Sequence, residues 1–556
     1  MAGDCDRASG APGDVMATRL VALGGLGEFG ANSLLIEGES GPGVLIDAGA
    51  AFSDLAAFGV GFEVPYFGAL GDHGPRTVIV THAHDDHLKG LPFVRGAFPG
   101  IELLASRTTL AWARRTLSDG EPTNTRELGA DVTLRAGAFT VEALPVSHSI
   151  PGALVLRLRG EEGTLVLATD LRLAPSALGE TTSQEALAGW GEAGVDVLLL
   201  DSTNALVSGE PPSESQVAAA LEEQVRAARG AVITVSFASH LGRFRQVAMA
   251  AAASGKVVVP VGRGLVESLE VQGQLGGLNL PPGLVRPARE LPRLPRDRVV
   301  VVATGSQGEP GSAFSRLAVD LLTGLRLRAG DTILHAARII PGNERRLAQL
   351  FDQCVRRGAR VVTNAEAPIH VSGHPHRSEL ERLLDLTRPR AVVPVHGRRR
   401  HLEAVAELAR RWGIACVVAE NGEELAWHGD EVARTGEVRQ VGRILLDDVG
   451  EEVLDPAVLH HRRSLAREGL VVAVLPCRCT AQGGLGEPQL HISGVELDQN
   501  VRDHLLSGLA AELGGAGALA RRDPEWLRST MSRWLRRELR RRTRRRPVVV
   551  ALVVEL

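Results

Sequence analysis

Short apolar runs, each closed by one polar residue, set the rhythm of the first part of this chain. Val44-Leu45-Ile46 ends at Asp47, and Thr77-Val78-Ile79-Val80 leads into Thr81 and His82. The run from Val141 to Ser147 ends at His148, Leu165–Thr169 at Asp170, and Val197–Leu200 at Asp201. Apolar runs this short, bounded by turn residues and rich in Val, Ile and Leu, predict buried strands. Together with Leu34-Leu35-Ile36 they alternate, from Leu20 to about Asn204, with glycine-rich turns and short helices such as Leu110–Leu117. From about Ala205 the pattern changes to strand and helix in turn. Strands are expected at Ala231–Phe237, Lys256–Val261, Arg298–Thr304, Asp331–His335 and Arg360–Thr363, with helices such as Glu214–Arg229 and Ser312–Thr323 between them. That alternation predicts a parallel, doubly wound sheet. The Pro- and Arg-rich stretch Pro281–Pro295 reads as a surface loop, and Ala391–Val395 repeats the early motif by ending at His396. Beyond about Asp455, Leu470–Leu475 and Val548–Val554 bracket one or two helices, the pattern of a small α+β domain.

What stands at the strand ends gives the pattern chemical meaning. His82-Ala83-His84-Asp85-Asp86-His87 packs three imidazoles and two carboxylates into six residues behind a buried strand. Imidazole nitrogen and carboxylate oxygen are the donors that Zn²⁺ takes when it hydrolyses rather than braces. The spacing H-x-H-x-D-H lets His82 and His84 face one metal while Asp86 and His87 face another. Active sites of open α/β sheets collect at the carboxyl ends of strands, so the scattered residues Asp47, His148, Asp170, Asp201 and His396 can converge on this cluster.

Composition narrows the class. At 556 residues the chain needs two to four domains, and its hydrophobic share of 44% and charged share of 23% are those of an ordinary globular protein. No apolar stretch reaches the roughly 18–20 residues that cross a bilayer. Residues 1–17 lack the order of a signal peptide and read as a disordered extension. Five cysteines (Cys5, Cys354, Cys416, Cys477, Cys479) form no C-x-x-C pair; Cys477 and Cys479 read as strand thiols, and the sparse, odd count suits a reducing cytoplasm. The formal charge of −4 gives no support for a wholly basic nucleic-acid binder, yet arginines crowd residues 521–546. They flank Trp526, Leu527, Met531, Trp534, Leu535 and Leu539, which recur at helical spacing. Two readings stay open for that helix: a solvated arginine face, or a surface for RNA phosphates or an acidic partner. With Lys89 and Lys256 the only lysines, arginine usage partly reflects composition.

Asp47, His82-x-His84-x-Asp86-His87, His148 and Asp170 together match the metallo-β-lactamase-fold signature, and Asp201, His374 and His396 resemble the extra motifs of its β-CASP nucleases. Ala22-Leu23-Gly24-Gly25-Leu26-Gly27-Glu28, Ser147-His148-Ser149-Ile150-Pro151, Asp201-Ser202-Thr203-Asn204-Ala205, His370-Val371-Ser372-Gly373-His374 and Pro394-Val395-His396-Gly397 narrow the resemblance to ribonuclease J of bacteria and archaea. The resemblance implies a metallo-β-lactamase αββα sandwich with an inserted doubly wound β-CASP domain and a small C-terminal α+β domain. The expected division is an extension over 1–17, a first metallo-β-lactamase part over 18–205, the β-CASP insertion over 206–370, a second part over 371–450, and the C-terminal domain over 456–556. Two departures from the family stand out. Arg398, followed by Arg399 and Arg400, replaces an acidic residue after His396-Gly397, and His335-Ala336-Ala337-Arg338 replaces a serine-rich stretch. Neither removes a ligand.

In the implied site, His82, His84, His148 and Asp170 hold one Zn²⁺, while Asp86, His87, Asp170 and His396 hold a second, with Asp170 bridging. The set tolerates Mn²⁺ as well. Asp47 orients a ligand histidine. Catalysis falls to Asp86, Asp201 and His374, with His374 protonating the leaving 3′ oxygen and Asp201 holding its tautomer; a metal-ligand or phosphate-clamp role for His374 stays open. Ser372, Gly373 and His374 resemble a pocket for a 5′-monophosphate. Phe237, beside Ser239, either stacks on a terminal base or belongs to the core. The expected activity is cleavage of RNA to 5′-phosphate and 3′-hydroxyl products, 5′→3′ exonucleolytic and endonucleolytic, in RNA maturation and mRNA decay. Single-stranded RNA with a 5′-monophosphate, a second or fourth copy of the chain and an RNA-degradation complex are the expected partners, with no membrane. Two rivals remain: a hydrolase of a small thioester or lactam, in which Asp201, His374 and the insertion have no role, and a non-catalytic RNA-binding subunit, against which every ligand position is filled.

Overall fold

The computed structural model describes residues 17–39, 41–117, 124–340, 342–448, 452–478 and 484–555. The expected N-terminal extension, Ala17 apart, and Cys479 lie outside the described residues. The chain forms two compact units, residues 1–52 with 63–443 and residues 53–62 with 444–556.

Two sheets build the frame of the first unit. One has eight strands, in the order Glu431–Val438, Glu423–His428, Thr18–Gly24, Ser33–Glu37, Val44–Ile46, Thr77–Val80, Glu102–Ala105 and Thr125–Glu127. The other has seven, in the order Ala415–Cys416, Ala391–Val395, Val197–Asp201, Gly163–Ala168, Leu154–Gly160, Phe139–Pro145 and Thr133–Ala136. They share one core, in which Ile36, Val44 and Ile46 from the first sheet meet Leu156, Leu158 and Leu165 from the second. Helices Gln184–Ala193, Arg377–Thr387 and Arg399–Arg411 cover the second sheet's other face with Leu187, Leu383, Leu384, Val405 and Leu408. This is the expected layered sandwich.

Parallel pairing decides where the polar strand ends emerge. Ile46 lies opposite Ile79, so Asp47 and Thr81-His82 leave their strands at one edge. Ala168 lies opposite Leu200, and Asp201 opposite Val395, so Asp170, Asp201 and His396 share an edge too. The backbone N–H of Leu154 donates to the Thr81 carbonyl at 3.1 Å and ties the two edges together.

Between these halves the chain builds a five-stranded, wholly parallel sheet in the order Val257–Val261, Val299–Ala303, Val232–Val235, Thr332–His335 and Arg360–Val362. Both faces are buried, one under helices Glu214–Ala227 and Leu241–Ala253, the other under Ala313–Ala318 and Glu344–Arg356, which explains the unbroken valine runs. One local expectation needs correction. The helix expected over Ser312–Thr323 spans only Ala313–Ala318, because Asp320 turns left-handed (φ 62°) and the Leu321 N–H closes on the Arg316 carbonyl at 2.7 Å. The stretch Pro281–Pro295 lies mostly exposed, as expected of a surface loop, and is pinned to the sheet by hydrogen bonds from Val258 N–H to the Leu284 carbonyl and from Arg286 N–H to the Val258 carbonyl, with Leu284 and Leu291 buried.

The second unit packs helices Gln499–Gly514 and Pro524–Thr543 on a sheet of Gln489–Ser493, Leu470–Cys477 and Val548–Glu555. Leu505, Leu509 and Leu513 from one helix and Leu527, Met531, Leu535 and Leu539 from the other form its core. Residues 53–62 join it through Arg462, whose guanidinium donates to the carbonyls of Phe58 and Gly59 and to Asp447 at 3.0–3.2 Å. Among the described residues no helix is long and apolar enough to cross a membrane.

Candidate metal centre

The His82–His87 segment works because its backbone changes direction once. His84 is extended (φ −72°, ψ 150°) and caps a one-turn helix, Asp85–Leu88. Side chains before and after that break therefore face different ways. The loop after Val44–Ile46 grips the turn from behind: Ala48 N–H donates to the His87 carbonyl at 2.8 Å and Ala50 N–H to the Asp85 carbonyl at 3.0 Å. Gly49 lies between them, where a Cβ would sit 1.7 Å from the Asp86 carbonyl oxygen, so no side chain fits. Asp47, Asp170 and His396 all adopt left-handed backbone (φ 62°, 54° and 59°), a conformation that costs a non-glycine residue roughly 1–2 kcal/mol. Strain concentrated on three strand-end residues of one site is the pattern of a functional centre.

Two sets of donor atoms result. In the first, His84 Nδ1 lies 3.0 Å from His82 Nε2 and 3.1 Å from His148 Nε2, and Asp170 Oδ1 lies 3.8 Å from each of those Nε2 atoms. In the second, Asp86 Oδ2 is 3.7 Å from His87 Nε2 and 3.3 Å from His396 Nε2, and Asp170 Oδ2 is 3.5 Å from His87 Nε2. Donors bound tetrahedrally to Zn²⁺ at its usual 2.0–2.1 Å stand about 3.3–3.4 Å apart, which both sets bracket. Asp170 Oδ1 faces His82 and His148 of the first set and also lies 3.8 Å from His396 Nε2, while Oδ2 faces His87 and is buried without any hydrogen-bond partner. A buried, unpartnered carboxylate oxygen is costly unless something cationic takes it. The residues therefore fit a metal.

Each histidine is fixed by its other nitrogen. His87 Nδ1–H donates to Asp47 Oδ2 at 2.7 Å, and Asp47 Oδ1 accepts from the Thr81 backbone N–H at 2.7 Å. The Thr81 hydroxyl lies 3.1 Å from His82 Nδ1, the Gly373 carbonyl 2.9 Å from His148 Nδ1, and the Thr203 hydroxyl 2.6 Å from His396 Nδ1. Those four rings turn Nε2 toward the centre. His84 is the reverse, with Nε2 3.3 Å from Ser149 Oγ and Nδ1 inward. Asn32 adds an amide 3.1 Å from both the Asp86 carbonyl and His87 Nε2.

Without a metal, protons distribute unevenly over the two sets. Burial, then His87 and His84, holds His82 far below the usual imidazole range. Burial outweighs Asp86 and Asp170 to bring His84 down to about 4, and burial with His84 brings His148 to about 3. For His87 burial is again the largest influence and lowers it, but Asp170, Asp47 and Asp86 together carry it up to about 9. His396 rises to about 10 against the same burial, through Asp170, Asp86 and Asp201. Burial would raise Asp170, yet His396, His87 and His374 hold it below the usual carboxylate range. Burial likewise opposes the ionised form of Asp86, which His87 and His396 hold low. The first set thus presents neutral lone pairs, and the second carries protons that a cation would displace.

Asp201 and His374 stand beside both sets. His374 Nδ1 is 2.9 Å from Asp201 Oδ2 and 3.5 Å from Asp170 Oδ1, and its side chain keeps 20% exposure. Asp201 is the last residue of its strand rather than the first after it, and also accepts the backbone N–H groups of Thr203 (2.7 Å) and Asp170 (3.0 Å). Although burial opposes its charge, His374 holds it ionised well below the usual range. Ser372 and Gly373 line a cleft with His148, Ser149, Arg172 and His240. Phe237 and Ser239 do not join the donor sets; both are half-buried in the turn that leads into His240.

Sequence reading missed the residues that hold this arrangement. Arg172 bonds Glu379 through Nε at 2.8 Å and the Ser372 carbonyl through its guanidinium at 2.9 Å, while Glu379 also accepts the Leu173 and His376 N–H groups. Asn204 donates to Ser372 Oγ (3.1 Å) and the His374 carbonyl (3.0 Å) and accepts from Arg338. Single polar side chains three or four residues past a strand, as Asn204 and Arg172 are, carry no signal of their own. Glu379, three positions after His376 at a helix start, had one in the capping-box spacing.

Comparison with known proteins adds an independent line. Residues 44–241 match the beta-lactamase superfamily domain, 229–354 the "Ribonuclease J, beta-CASP domain", 359–419 the "Zn-dependent metallo-hydrolase RNA specificity domain", and 457–556 the "Ribonuclease J C-terminal domain". A protein of Mycolicibacterium smegmatis named ribonuclease J is 33% identical over 98% of both chains. Those of Mycobacterium tuberculosis and Sinorhizobium meliloti are 34% and 32% identical over 97% and 96% of both chains. A solved Enterococcus faecalis protein of unknown function shares the fold over 74% of this chain and all of its own, with a TM-score of 0.52 at 17% identity.

Proposed function

The chain belongs to the ribonuclease J family, and from that premise we propose a two-metal ribonuclease that yields 5′-phosphate and 3′-hydroxyl ends. One Zn²⁺ would be held by His82, His84, His148 and Asp170 and a second by Asp86, His87, Asp170 and His396, with Mn²⁺ an acceptable substitute. The single observation that carries this reading is Asp170, which stands within 3.5–3.8 Å of donors of both sets and whose Oδ2 is buried without a hydrogen-bond partner. When bound, a metal pair supplies an activated water near neutral pH and neutralises the phosphodiester under attack.

The chain's own residues supply position and protons. Asp47, Thr81, Gly373 and Thr203 hold four rings at Nδ1. Asp201 takes His374 Nδ1–H, so the proton for the leaving 3′ oxygen is held at His374 Nε2. Ser372 and Gly373 would receive a 5′-monophosphate, and Phe237, beside Ser239, a terminal base. The Asp201–His374 pair has no task in thioester or lactam hydrolysis, and a full donor set argues against a non-catalytic subunit.

The proposal extends to 5′→3′ exonucleolytic and endonucleolytic cleavage of single-stranded RNA in the cytoplasm, by a dimer or tetramer within an RNA-degradation complex. It takes residues 18–205 and 371–450 as the metal-binding domain, 206–370 as its insertion and 456–556 as a separate domain. Digestion of one RNA bearing a 5′-monophosphate beside its 5′-triphosphate twin tests it. Mononucleotide release from the first alone is expected; equal release from both would remove the end-sensing pocket, and no cleavage of either would remove the ribonuclease itself.

A further inference from the structure

We infer that the exposed face of helix Pro524–Thr543 is a second RNA-binding surface, one that grips phosphates without reading sequence. Between residues 521 and 546 twelve arginines stand against three carboxylates, Asp523, Glu525 and Glu538, a formal +9 in a chain whose total is −4. The apolar residues Leu527, Met531, Trp534, Leu535 and Leu539 fix the helix's orientation by burying one face in the core of its own unit. Arg533, Arg536, Arg537, Arg540, Arg541 and Arg544 recur at the spacing i, i+3, i+4, i+7, i+8, i+11, and all are exposed. They form a stripe about 16 Å long over the C-terminal half of this 20-residue helix and its cap residue Arg544.

Neutralisation within the protein is scant. Glu538 alone serves Arg537, Arg541 and Arg542, at 3.6, 2.7 and 3.6 Å. Arg536, Arg540, Arg544, Arg545 and Arg546 have no ion pair among the described residues. Like charges at i and i+4 (Arg533 and Arg537, Arg536 and Arg540, Arg537 and Arg541, Arg540 and Arg544) weaken a helix. The helix dipole offsets this only in the last turn. Lining such pairs along one face is therefore a cost that a polyanion relieves. Guanidinium binds phosphate in a bidentate fork, and a row of arginines at helical pitch matches a backbone of repeated phosphates better than the scattered carboxylates of a protein surface.

The inference rests on RNA being the chain's substrate, and its test keeps the two apart. Full-length His84→Ala protein, expected not to cut, is titrated with a fluorescent single-stranded RNA of about forty nucleotides between about 50 and 200 mM salt. The same background carrying Arg536→Gln, Arg540→Gln, Arg541→Gln and Arg544→Gln is the comparison. Affinity should fall at least about tenfold, and the slope of log K against log salt by about 0.7 per lost contact, close to 3 in all. The matching quadruple Arg→Lys protein should keep most of the slope, and thermal melting establishes that each variant is folded. Unchanged affinity and slope in the Gln variant overturn the proposal. So does an altered oligomeric state with RNA affinity intact, which would make this face a protein contact. If wild-type protein binds the RNA but never cleaves it, the catalytic reading falls and the surface stands.

Discussion

Replacing Thr203 by valine should weaken one metal set and spare the other. The Thr203 hydroxyl sits 2.6 Å from His396 Nδ1 and 3.1 Å from the His396 carbonyl, so it accepts from the ring N–H and donates to the carbonyl. Thr203 is 8% exposed, and valine fills the same volume without an acceptor. Leaving a buried ring N–H unpaired costs about 1–3 kcal/mol. Because the hydroxyl also fixes which nitrogen of His396 faces Asp86, 3.3 Å away, the cost should appear as metal affinity, roughly 10- to 100-fold. The left-handed backbone of His396 sharpens the dependence, since the hydroxyl–carbonyl bond braces that turn. Competition against a chelator, with metal content measured after dialysis, gives the two affinities separately. Wild-type protein should retain two ions per chain and Thr203→Val one, with Thr203→Ser close to wild type. If Thr203→Val binds both ions as tightly as wild type, the orienting role of this hydroxyl is wrong.

Three further outcomes follow from the same geometry. His374→Ala should lower RNA cleavage by about 10²–10⁴-fold with metal content unchanged; loss of metal along with activity would make His374 a ligand instead. Arg172→Met should cost about 3–5 kcal/mol, because it strands Glu379 in a buried site and frees the Ser372 carbonyl; a melting temperature within a degree or so of wild type would contradict this. Metal-stripped protein should be most stable near the unperturbed histidine value of about 6.5. Below it, unfolding binds protons that His84 and His148, at about 4 and 3, do not take up when folded, so stability falls with pH. Above it, the stabilisation of protonated His87 and His396 is lost as pH climbs through about 9 and 10. A melting profile rising steadily from pH 6.5 to 9 would reverse that sign.

The donor set was legible because its chemistry is dense or its position regular. His82–His87 has no packing reason to exist, and Asp47, His148, Asp170 and His396 each stand one to three residues past an apolar strand. Parallel register then brings such ends to one edge, as Ile46 opposite Ile79 and Asp201 opposite Val395 demonstrate. The supporting contacts were not legible, since they join positions far apart through residues common everywhere: Thr203 with His396, Asn32 with His87, Arg172 with Glu379. Gly373 acts on His148 through a backbone carbonyl, which no side-chain pattern reports. The grouping of residues 53–62 with the C-terminal unit joins positions about four hundred apart in the chain, through Val60 packed on Leu454 and Leu459 and through Arg462 reaching the carbonyls of Phe58 and Gly59.

The most direct test of the central claim gives metal-stripped and reloaded full-length protein the same 5′-monophosphorylated single-stranded RNA and identifies every product end. The expected result is no cleavage without metal, full recovery as two equivalents of Zn²⁺ or Mn²⁺ return, and products ending in 5′-phosphate and 3′-hydroxyl. Cleavage that persists in the stripped protein, or products carrying 3′-phosphate, would contradict metal-dependent hydrolysis at the residues gathered around Asp170.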